Sequence, residues 1–303
     1  MIDKLEFLLA LARERHFGKA AEACGVTQPT LSAGIKQLED GLGLLLVNRS
    51  ARYRGLTPEG ERVLDWAKRI VGDSRAMKQE VRALKQGHLV GHIRLAAIPT
   101  ALAMVSALTT PFRAKHPAVR FTILSSSSIE VLNALDNLEI DAGITYLDNE
   151  PLGRVRSVPL YRERYRLMIA ADSPLGNREQ VTWSEVARIP LCLLTPDMQN
   201  RRIIDSLLRE AGPLDEAAPT LESNSMILLF SHVRTGRWAS VMPAILAETL
   251  GLTGAVRAIP IIAPSAVHTV GLVIPNRDPM PPVTAAFVAE AYKVAEELDV
   301  DLT

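Results

Sequence analysis

The feature that most constrains the fold is a change of hydropathy pattern near residue 90. Before it, apolar residues recur at three- and four-residue spacing, which is typical of amphipathic helices. After it, short apolar runs alternate with amphipathic segments, which indicates β-strands and helices arranged around a parallel-rich sheet. A chain of 303 residues has room for two domains. We therefore expect a mostly helical N-terminal domain followed by an α/β domain.

The charge divides at the same place. The chain has 15 basic and 11 acidic residues up to Val90, a net charge of +4, and 19 basic and 23 acidic residues after it, a net charge of −4. A basic N-terminal part favours a polyanionic partner there. No apolar run is long enough to span a membrane, and charges interrupt the apolar start of the chain, so we expect no membrane partner and a cytoplasmic location.

A helix-turn-helix pattern lies within the helical stretch from Ile2 to Gly43. A short alanine-rich helix is predicted to end at Gly25, where a glycine suits the left-handed residue that follows a helix. Thr27 can then cap a longer helix that has Pro29 in its first turn. The next segment contains Arg49, Arg52 and Arg54 and no acid, and we expect it to form a β-hairpin wing.

A long helix is predicted to begin after Thr57. The segment from Leu56 to Glu61 suggests a capping box, with Pro58 at the first helical position and Gly60 and Glu61 at the next two. The helix then carries an apolar stripe with four- and three-residue spacing that favours pairing with a partner helix; packing on its own domain is the alternative. The stripe comprises Val63, Ala67, Ile70, Ser74, Met77, Val81 and Leu84, and a linker at 86–91 follows it.

Beyond the linker, the pattern predicts alternating strands and helices. Strands are expected at 92–97, 120–124, 142–146, 166–171, 191–194, 238–242, 256–261 and 268–274, and helices at 101–115, 129–138, 199–211, 225–235 and 281–297.

No group of residues nominates a catalytic centre, a metal site or a cofactor. His88 and His92 have metal-ligand spacing, but they lie across a predicted helix end and no third ligand is near in sequence. Nucleophile-elbow, Walker and dinucleotide-binding motifs are missing from the sequence. The only cysteines, Cys24 and Cys192, are predicted to be small core residues, and their number excludes a disulfide-dense scaffold.

Hydroxyl and amide side chains instead collect where predicted strands end and helices begin. In open α/β sheets ligands bind beyond the carboxyl ends of the strands, and helix N-termini there favour anions. The alternative is that individual hydroxyls only cap helices. The predicted ligand-binding residues are Pro99, Thr100, Ser127, Ser128, Thr195, Gln199, Asn200, Ser223 and Asn224.

The segment from His16 to Gly60 resembles the winged helix-turn-helix of the LysR-type transcriptional regulators. The resemblance is carried by paired alanines at 20 and 21, Thr27-Gln28-Pro29, Ser32, Leu38-Glu39, Leu42-Gly43, Arg49, and Leu56 to Gly60; it continues at 117–119, 138–141 and 236–243. The sequence departs from the pattern in three places. Gly18 stands where the family has a capping Ser or Thr, Val47 stands where it has Phe, and Arg237-Trp238 interrupts a glycine pair, which suggests a small effector.

The resemblance implies three regions and a type 2 periplasmic-binding-protein-like effector domain. The regions are a winged helix-turn-helix at 1–58, a dimerisation helix and hinge at 59–91, and the effector domain at 92–303. One lobe would comprise about 92–161 and 267–303, and the other about 162–266. The implied partners are double-stranded promoter DNA, a small carboxylate or other small anion as effector, a second copy of the chain in a dimer or tetramer, and RNA polymerase. The protein would act at the nucleoid.

Residue chemistry divides the predicted DNA contacts into base readers and phosphate binders. Gln28 is the best base reader, because a carboxamide can bond to adenine through two hydrogen bonds. Lys36 and the wing arginines are predicted to bind phosphates. The full set is Thr27, Gln28, Pro29, Thr30, Ser32, Lys36, Arg49, Arg52 and Arg54.

Three other functions are compatible with parts of the sequence. An enzyme is disfavoured because no acid–base pair or nucleophile stands out. A transported-solute binding protein is disfavoured by the helix-turn-helix and the start of the chain. An architectural DNA-binding protein that has no effector is the alternative that the sequence leaves open.

Overall fold

A computed structural model of the chain describes residues 1–49, 53–212, 219–251 and 254–301. It contains one compact unit that holds Met1–Val90 and a second that holds Gly91–Leu135, Ile140–Asp278 and the C-terminal helix from Thr284. Within these ranges, no helix is long and apolar enough to cross a membrane.

The N-terminal unit is a winged helix-turn-helix followed by one long helix. Leucines at three- and four-residue spacing on α1 and α3 meet in a single core, which also includes Leu46 and Val47. The elements are α1 (Ile2–Glu14), α2 (Phe17–Ala23), α3 (Gln28–Leu42), β1 (Val47–Arg49), β2 (Tyr53–Leu56) and α4 (Pro58–Gln86).

The turn between α2 and α3 forms as the sequence predicts. Gly25 has a φ of +67°, and the Thr27 hydroxyl accepts a hydrogen bond from the Thr30 amide at 3.4 Å. The start of α2 differs from expectation. His16, and not Gly18, is the N-cap residue, and its Nδ1 atom accepts hydrogen bonds from the amides of Gly18 and Lys19. An imidazole nitrogen therefore accepts the capping hydrogen bonds that a hydroxyl oxygen usually accepts.

The wing is a short antiparallel hairpin of β1 and β2, as expected. Thr57 caps α4 by accepting from the Gly60 amide at 2.9 Å and also donates to the Leu45 carbonyl oxygen. The predicted capping box is wrong, because Gly60 occupies the third helical position and has no side chain to return a bond. Gly60 is needed for another reason: a Cβ atom there would lie 2.1 Å from the Leu46 carbonyl oxygen.

The apolar residues of α4 divide between two faces. Val63 packs against the core of the unit and Ala67 is fully buried in it, together with Val71. The large apolar side chains of the other face are exposed, and so are those towards the end of the helix. The large exposed residues are Trp66, Ile70, Met77, Val81 and Leu84.

The C-terminal unit contains a mixed sheet flanked by helices. Its elements are β3 (Gly91–Ala97), a 3-10 turn (Pro99–Ala101), α5 (Leu102–Lys115), β4 (Val119–Ser125), α6 (Ser128–Asp136), β5 (Ala142–Tyr146), β6 (Val155–Ala170), β7 (Val181–Thr182), α7 (Trp183–Val186), β8 (Cys192–Leu194), α8 (Gln199–Ala211), β9 (Leu221–Ser223), α9 (Met226–Val233), β10 (Ser240–Pro243), α10 (Ala244–Thr249), β11 (Val256–Ile262), β12 (Val267–Pro275) and α11 (Pro282–Asp301).

One long strand, β6, joins two lobes. Its first part pairs with β12 up to Arg164, and its last part pairs with β10 and β11 from Tyr165 onward. The strand order is β4-β3-β5-β12-β6-β11-β7. The strands β3, β4 and β5 run parallel, as βαβ units require, whereas β6 and β12 are antiparallel to their neighbours within the sheet. The sheet is therefore less parallel than the sequence predicts.

The largest boundary error concerns β6. It begins at Val155, eleven residues before the predicted start at Arg166, because exposed arginines alternate with buried residues and interrupt the apolar run. The predicted strand at 238–242 begins only at Ser240, and α6 ends at Asp136 instead of residue 138. The two-residue β7 and the short β9 were not predicted.

The close approach of α4 to the wing predicts that Gly60→Ala destabilises the N-terminal unit. The added Cβ atom meets backbone, so we expect a loss of about 1–3 kcal/mol in the free energy of unfolding. Gly41→Ala in α3 is the matched control, because a Cβ atom there meets nothing within 4 Å; it should stabilise by up to about 1 kcal/mol. Amide hydrogen exchange of α1 and α3 measures both effects. Equal effects of the two substitutions would contradict the assignment.

Candidate functional sites

The first turns of α3 present a polar face opposite to its buried face. Leu31, Ile35 and Leu38 are buried in the core, which fixes the orientation of the helix. A Cβ atom on Gly34 would lie 2.6 Å from the Phe7 ring, so α1 and α3 are in close contact. The predicted DNA contacts on α3 all lie on its outer side: Thr27, Gln28, Pro29, Thr30 and Lys36 are exposed and Ser32 is half-buried.

A buried carboxylate attaches the wing to α3. Glu39 is 4% exposed, and its Oε1 atom accepts hydrogen bonds from the amides of Leu46 at 2.9 Å and Val47 at 3.2 Å. These two bonds satisfy donors at the start of β1 and fix where the hairpin begins. From the sequence, Glu39 was noted only as part of the family pattern. An acidic residue next to the apolar face of α3 is the feature that could have indicated its structural role.

Two of the predicted phosphate-binding arginines, Arg49 and Arg54, lie on the described strands of the wing. Arg54 is on β2 with an exposed side chain. Arg49 lies in β1, but its side chain is outside the described part of the structure, and Arg52 is outside the described residues altogether.

The predicted effector residues lie at the ends of neighbouring strands. β3 pairs with both β4 and β5, and Ala97 lies opposite Ser125 and Ile144. Consequently the turn that carries Pro99 and Thr100 and the start of α6 leave the same edge of the sheet. In the other lobe β8 pairs with β9, with Leu194 opposite Ser223, so the segments that follow these strands are neighbours too.

Three of the predicted hydroxyls are buried without a hydrogen-bond partner in the described structure. They are the side-chain oxygens of Thr100, Ser128 and Thr195. Thr100 is fully buried and Ser128 is 2% exposed. A buried hydroxyl without a partner costs roughly 1–3 kcal/mol, so each of these groups would gain from a bound polar ligand.

Other predicted residues already have hydrogen-bond partners within the protein. The Ser127 hydroxyl and amide both donate to Glu130, and the Glu130 amide returns a bond to the hydroxyl. The Ser223 hydroxyl accepts from the Ser225 amide, while Asn224 is exposed. For Ser127 the capping alternative therefore accounts for the observed contacts, whereas Ser223 forms a turn bond to Ser225, which is the N-cap residue of α9.

The start of α8 is attached to the segment that follows β5. Gln199 and Asn200 are both buried. Gln199 Nε2 donates to the Asp148 carbonyl oxygen at 3.1 Å, and Asn200 Nδ2 donates to the Tyr146 hydroxyl at 2.9 Å. The N-cap residue Met198 supplies no side-chain bond, so the first turn of α8 is held by these lobe-to-lobe contacts.

A buried acid lies next to these contacts. Glu163 on β6 is 1% exposed and accepts hydrogen bonds from the hydroxyls of Tyr146 and Tyr161. Burial raises the pKa of Glu163 to about 8. Burial next to Glu163 also raises the pKa of Tyr146 well above its usual value. Sequence reasoning missed this cluster, although Glu163 lies between two inward-facing tyrosines in the alternating pattern of β6.

The two cysteines are chemically unremarkable thiols. Burial raises the pKa of Cys192 to about 11, and its Sγ atom lies 3.6 Å from the Leu229 carbonyl oxygen. Cys24 is half-buried in the N-terminal unit, and burial raises its pKa as well. Within the described ranges, no group of three or more His, Cys, Asp or Glu residues could hold a metal ion.

Comparison with known proteins assigns a family to both units. Residues 2–61 match the model of the bacterial regulatory helix-turn-helix protein, lysR family, and residues 86–295 match the LysR substrate binding domain. The chain is 30% identical over 281 residues to the DNA-binding transcriptional dual regulator OxyR of Escherichia coli, covering 92% of this chain and 90% of the relative. A probable nitrogen assimilation transcriptional activator of Synechococcus elongatus is 26% identical over 246 residues, covering 80% of this chain and 78% of the relative.

Solved structures agree with this assignment. A full-length OxyR cysteine variant from Pseudomonas aeruginosa has 26% sequence identity and a TM-score of 0.74, covering 99% of this chain and 96% of that one. CbnR in complex with its target DNA has 18% identity and a TM-score of 0.61, covering 97% of this chain and 99% of that one. At that identity, the second likeness shows the fold alone.

The environment of Cys192 predicts a thiol that reacts slowly with electrophiles. With a pKa of about 11, only about one thiol in a thousand is ionised at pH 8, and the thiolate is the reactive form. In the Cys24→Ser variant, iodoacetamide should therefore alkylate Cys192 in the native protein at least about 100-fold more slowly than in urea. Mass spectrometry of the labelled peptide gives both rates, and comparable rates would refute the buried thiol.

Proposed function

The chain belongs to the LysR-type transcriptional regulators, and from this premise we propose that it binds promoter DNA as a dimer and responds to a small anion held between the lobes of its C-terminal domain. The observation that carries the proposal is the combination of an exposed recognition helix with three unpartnered buried hydroxyls at strand ends of the other unit.

The DNA-binding part of the proposal uses α3 as the recognition helix. Its outer side carries Gln28 and Thr30 for base edges, and Lys36 and Arg54 supply positive charge for phosphates. In dimeric helix-turn-helix proteins, two such helices read half-sites about one helical turn apart. The bonds from Glu39 to the wing fix β1 relative to α3, so helix and wing can contact DNA together.

The dimer would form through α4. Ile70, Met77, Val81 and Leu84 are each at least 40% exposed in the single chain, and apolar residues with this spacing form helix-pairing seams. Val63 and Ala67, predicted for the same seam, contribute to the core of the unit instead of the exposed stripe. A tetramer of two such dimers is part of the proposal, as is a contact with RNA polymerase.

The effector part of the proposal is a small carboxylate or other small anion. Thr100, Ser128 and Thr195 offer hydroxyl donors, and α6 and α8 begin at Ser128 and Gln199, with helix N-termini that favour negative charge. The buried Arg201 is engaged by Asp205 and Glu222, so recognition would depend on hydroxyls and helix termini instead of that guanidinium.

Peroxide sensing through a thiol finds no support in this chain. Several relatives are called hydrogen peroxide-inducible genes activators. This chain has a single cysteine in its C-terminal unit, Cys192, whose burial disfavours the thiolate. We therefore propose reversible, non-covalent effector binding.

Family members are transcription regulators and not enzymes, and the proposal assigns this chain no catalytic residue and no cofactor. A regulator of this kind works at the chromosome, so we place it in the cytoplasm at the nucleoid.

Two substitutions separate phosphate binding from base reading. Arg54→Ala should weaken binding to operator and scrambled DNA alike and lower the slope of log K against log salt by about one. Gln28→Ala should cost about 1–3 kcal/mol on operator DNA and leave the salt slope unchanged. Fluorescence anisotropy across salt concentrations measures both. The reverse pattern would exchange the two roles.

Removing an unpartnered hydroxyl should strengthen the fold and weaken the effector site. Thr100→Val should raise the free energy of unfolding by about 1 kcal/mol, because a methyl group replaces a buried hydroxyl without a partner. The same variant should reduce the shift in melting temperature that acetate or sulfate produces, since an anion bound to the folded state stabilises it.

Ser74→Ala is the matched control for this test. Ser74 on α4 is also buried and without a partner in the described structure, so its replacement should stabilise the fold and leave the anion response unchanged. If no small anion stabilises the wild-type protein while DNA binding is specific, the effector class is wrong and an effector-independent regulator becomes the better description.

A further inference from the structure

Three hydrogen-bonded side chains connect the start of α8 to β6, the strand that joins the lobes. Asn200 Nδ2 donates to the Tyr146 hydroxyl at 2.9 Å, and that hydroxyl donates to Glu163 Oε1. This series of hydrogen bonds begins on α8, passes through the last residue of β5 and ends on β6, just before the pairing of β6 changes from β12 to β11. Asn200 is also a predicted effector residue, so its position matters for the cleft.

Among the described residues, the groups that face Glu163 include no positive charge that compensates it. Its neighbours are Tyr146 at the end of β5, Tyr161 and Tyr165 on β6, and Asp148 beyond β5; His268 lies opposite it on β12. Burial lowers the pKa of His268, which leaves the ring neutral at neutral pH. The arginines on either side of Glu163 in sequence are exposed, because alternate residues of a strand point to opposite faces. The hydrogen bonds from Tyr146 and Tyr161 favour the ionised carboxylate, but burial has the larger and opposite effect on the pKa, so the neutral acid is favoured in these surroundings.

We propose that Glu163 is a positioning residue of the effector cleft: in its protonated form it anchors Tyr146, Tyr146 anchors Asn200, and ionisation of Glu163 favours opening of this contact between the lobes. The inference depends on the proposed function only where Asn200 is taken as an effector-binding residue. The link between Glu163 and the start of α8 can be tested without an effector.

The sign of the pH effect follows from proton linkage. The closed arrangement keeps Glu163 protonated up to pH about 8, whereas in an opened, hydrated arrangement its pKa returns towards the ordinary 4.5. Between these values the closed form holds more protons, so each unit of rising pH favours opening by up to about tenfold. Above pH 8 both forms are ionised and the effect levels off. Burial lowers the pKa of His268 from its usual 6.5, so the test uses the range from pH 7 to 9, which lies above that value.

Amide hydrogen exchange of the full-length protein provides the test. The Arg202 amide bonds to the Met198 carbonyl oxygen, and the next two amides of α8 bond four residues back as in any α-helix, so exchange at residues 202 to 204 reports opening of the first turn of α8. After division by the random-coil rate at each pH, exchange in the wild type should rise up to about tenfold from pH 7 to 8 and level off by pH 9. In Glu163→Gln, which stays neutral, the corrected rate should be flat.

Two tyrosine variants distinguish positioning from general loss of packing. Tyr146→Phe removes the hydroxyl that joins Asn200 to Glu163, so exchange at the start of α8 should be fast throughout the pH range. Tyr161→Phe removes the other hydroxyl on Glu163, at 3.5 Å, but has no bond to α8; exchange there should keep the wild-type pH dependence. Exchange of β3 amides, in the same unit, reports whether either variant loosens the whole fold.

The outcomes separate this inference from the proposed function. A pH dependence in Glu163→Gln equal to that of the wild type, or equal effects of the two tyrosine variants on α8, would overturn the role of Glu163. Sulfate serves as the probe anion for the cleft: if it raises the wild-type melting temperature while the exchange pattern fails, the effector site stands and the inference falls. If the exchange pattern holds and neither sulfate nor acetate binds, the inference stands and the effector class falls.

Discussion

The pairing of β6 with two different sets of strands is the constraint on which the C-terminal unit depends. Up to Arg164 the strand pairs with β12, and from Tyr165 it pairs with β10 and β11. Strand pairing on β6 therefore continues through the point at which the lobes join, with a change of partner strand. A change in the angle between the lobes would act on this point and on the polar side chains beside it. Glu163 is one of these side chains.

The N-terminal unit depends in a similar way on close backbone contacts. The Glu39 carboxylate binds two amides at the start of β1, and Gly60 allows α4 to approach the Leu46 carbonyl oxygen. Thr57 connects the same segment to α4 through the Leu45 carbonyl oxygen. These contacts meet within three consecutive residues, 45 to 47. Recognition helix, wing and long helix are thus fixed to one short stretch of backbone, so that a dimer formed through α4 would also set the position of both recognition helices.

Residue patterns predicted the features that follow from local chemistry. The turn at Gly25, the cap at Thr27 and the end of α4 at Gly87 form where glycines and a threonine indicate them, because these positions depend on backbone conformation and one hydrogen bond. Features that depend on tertiary contacts were less predictable. The sequence could not show that His16 supplies the cap of α2, or that β6 begins at Val155, since its exposed arginines conceal a strand that is buried on the other face.

For the effector site, the sequence located the strand ends but could not distinguish capping hydroxyls from free ones. Ser127 and Ser128 are adjacent and chemically identical, yet Ser127 is fully engaged with Glu130 and Ser128 has no partner in the described structure. The difference arises from their successive positions at the start of α6. A hydroxyl at the N-cap position faces the free amides of the helix, whereas one at the next position faces whatever lies across the strand end. Under the proposed function, an effector that accepts hydrogen bonds from Thr100 and Ser128 in one lobe and from Thr195 in the other would stabilise the closed lobes. It would thereby also favour the protonated form of Glu163, so that effector and proton act on the same equilibrium.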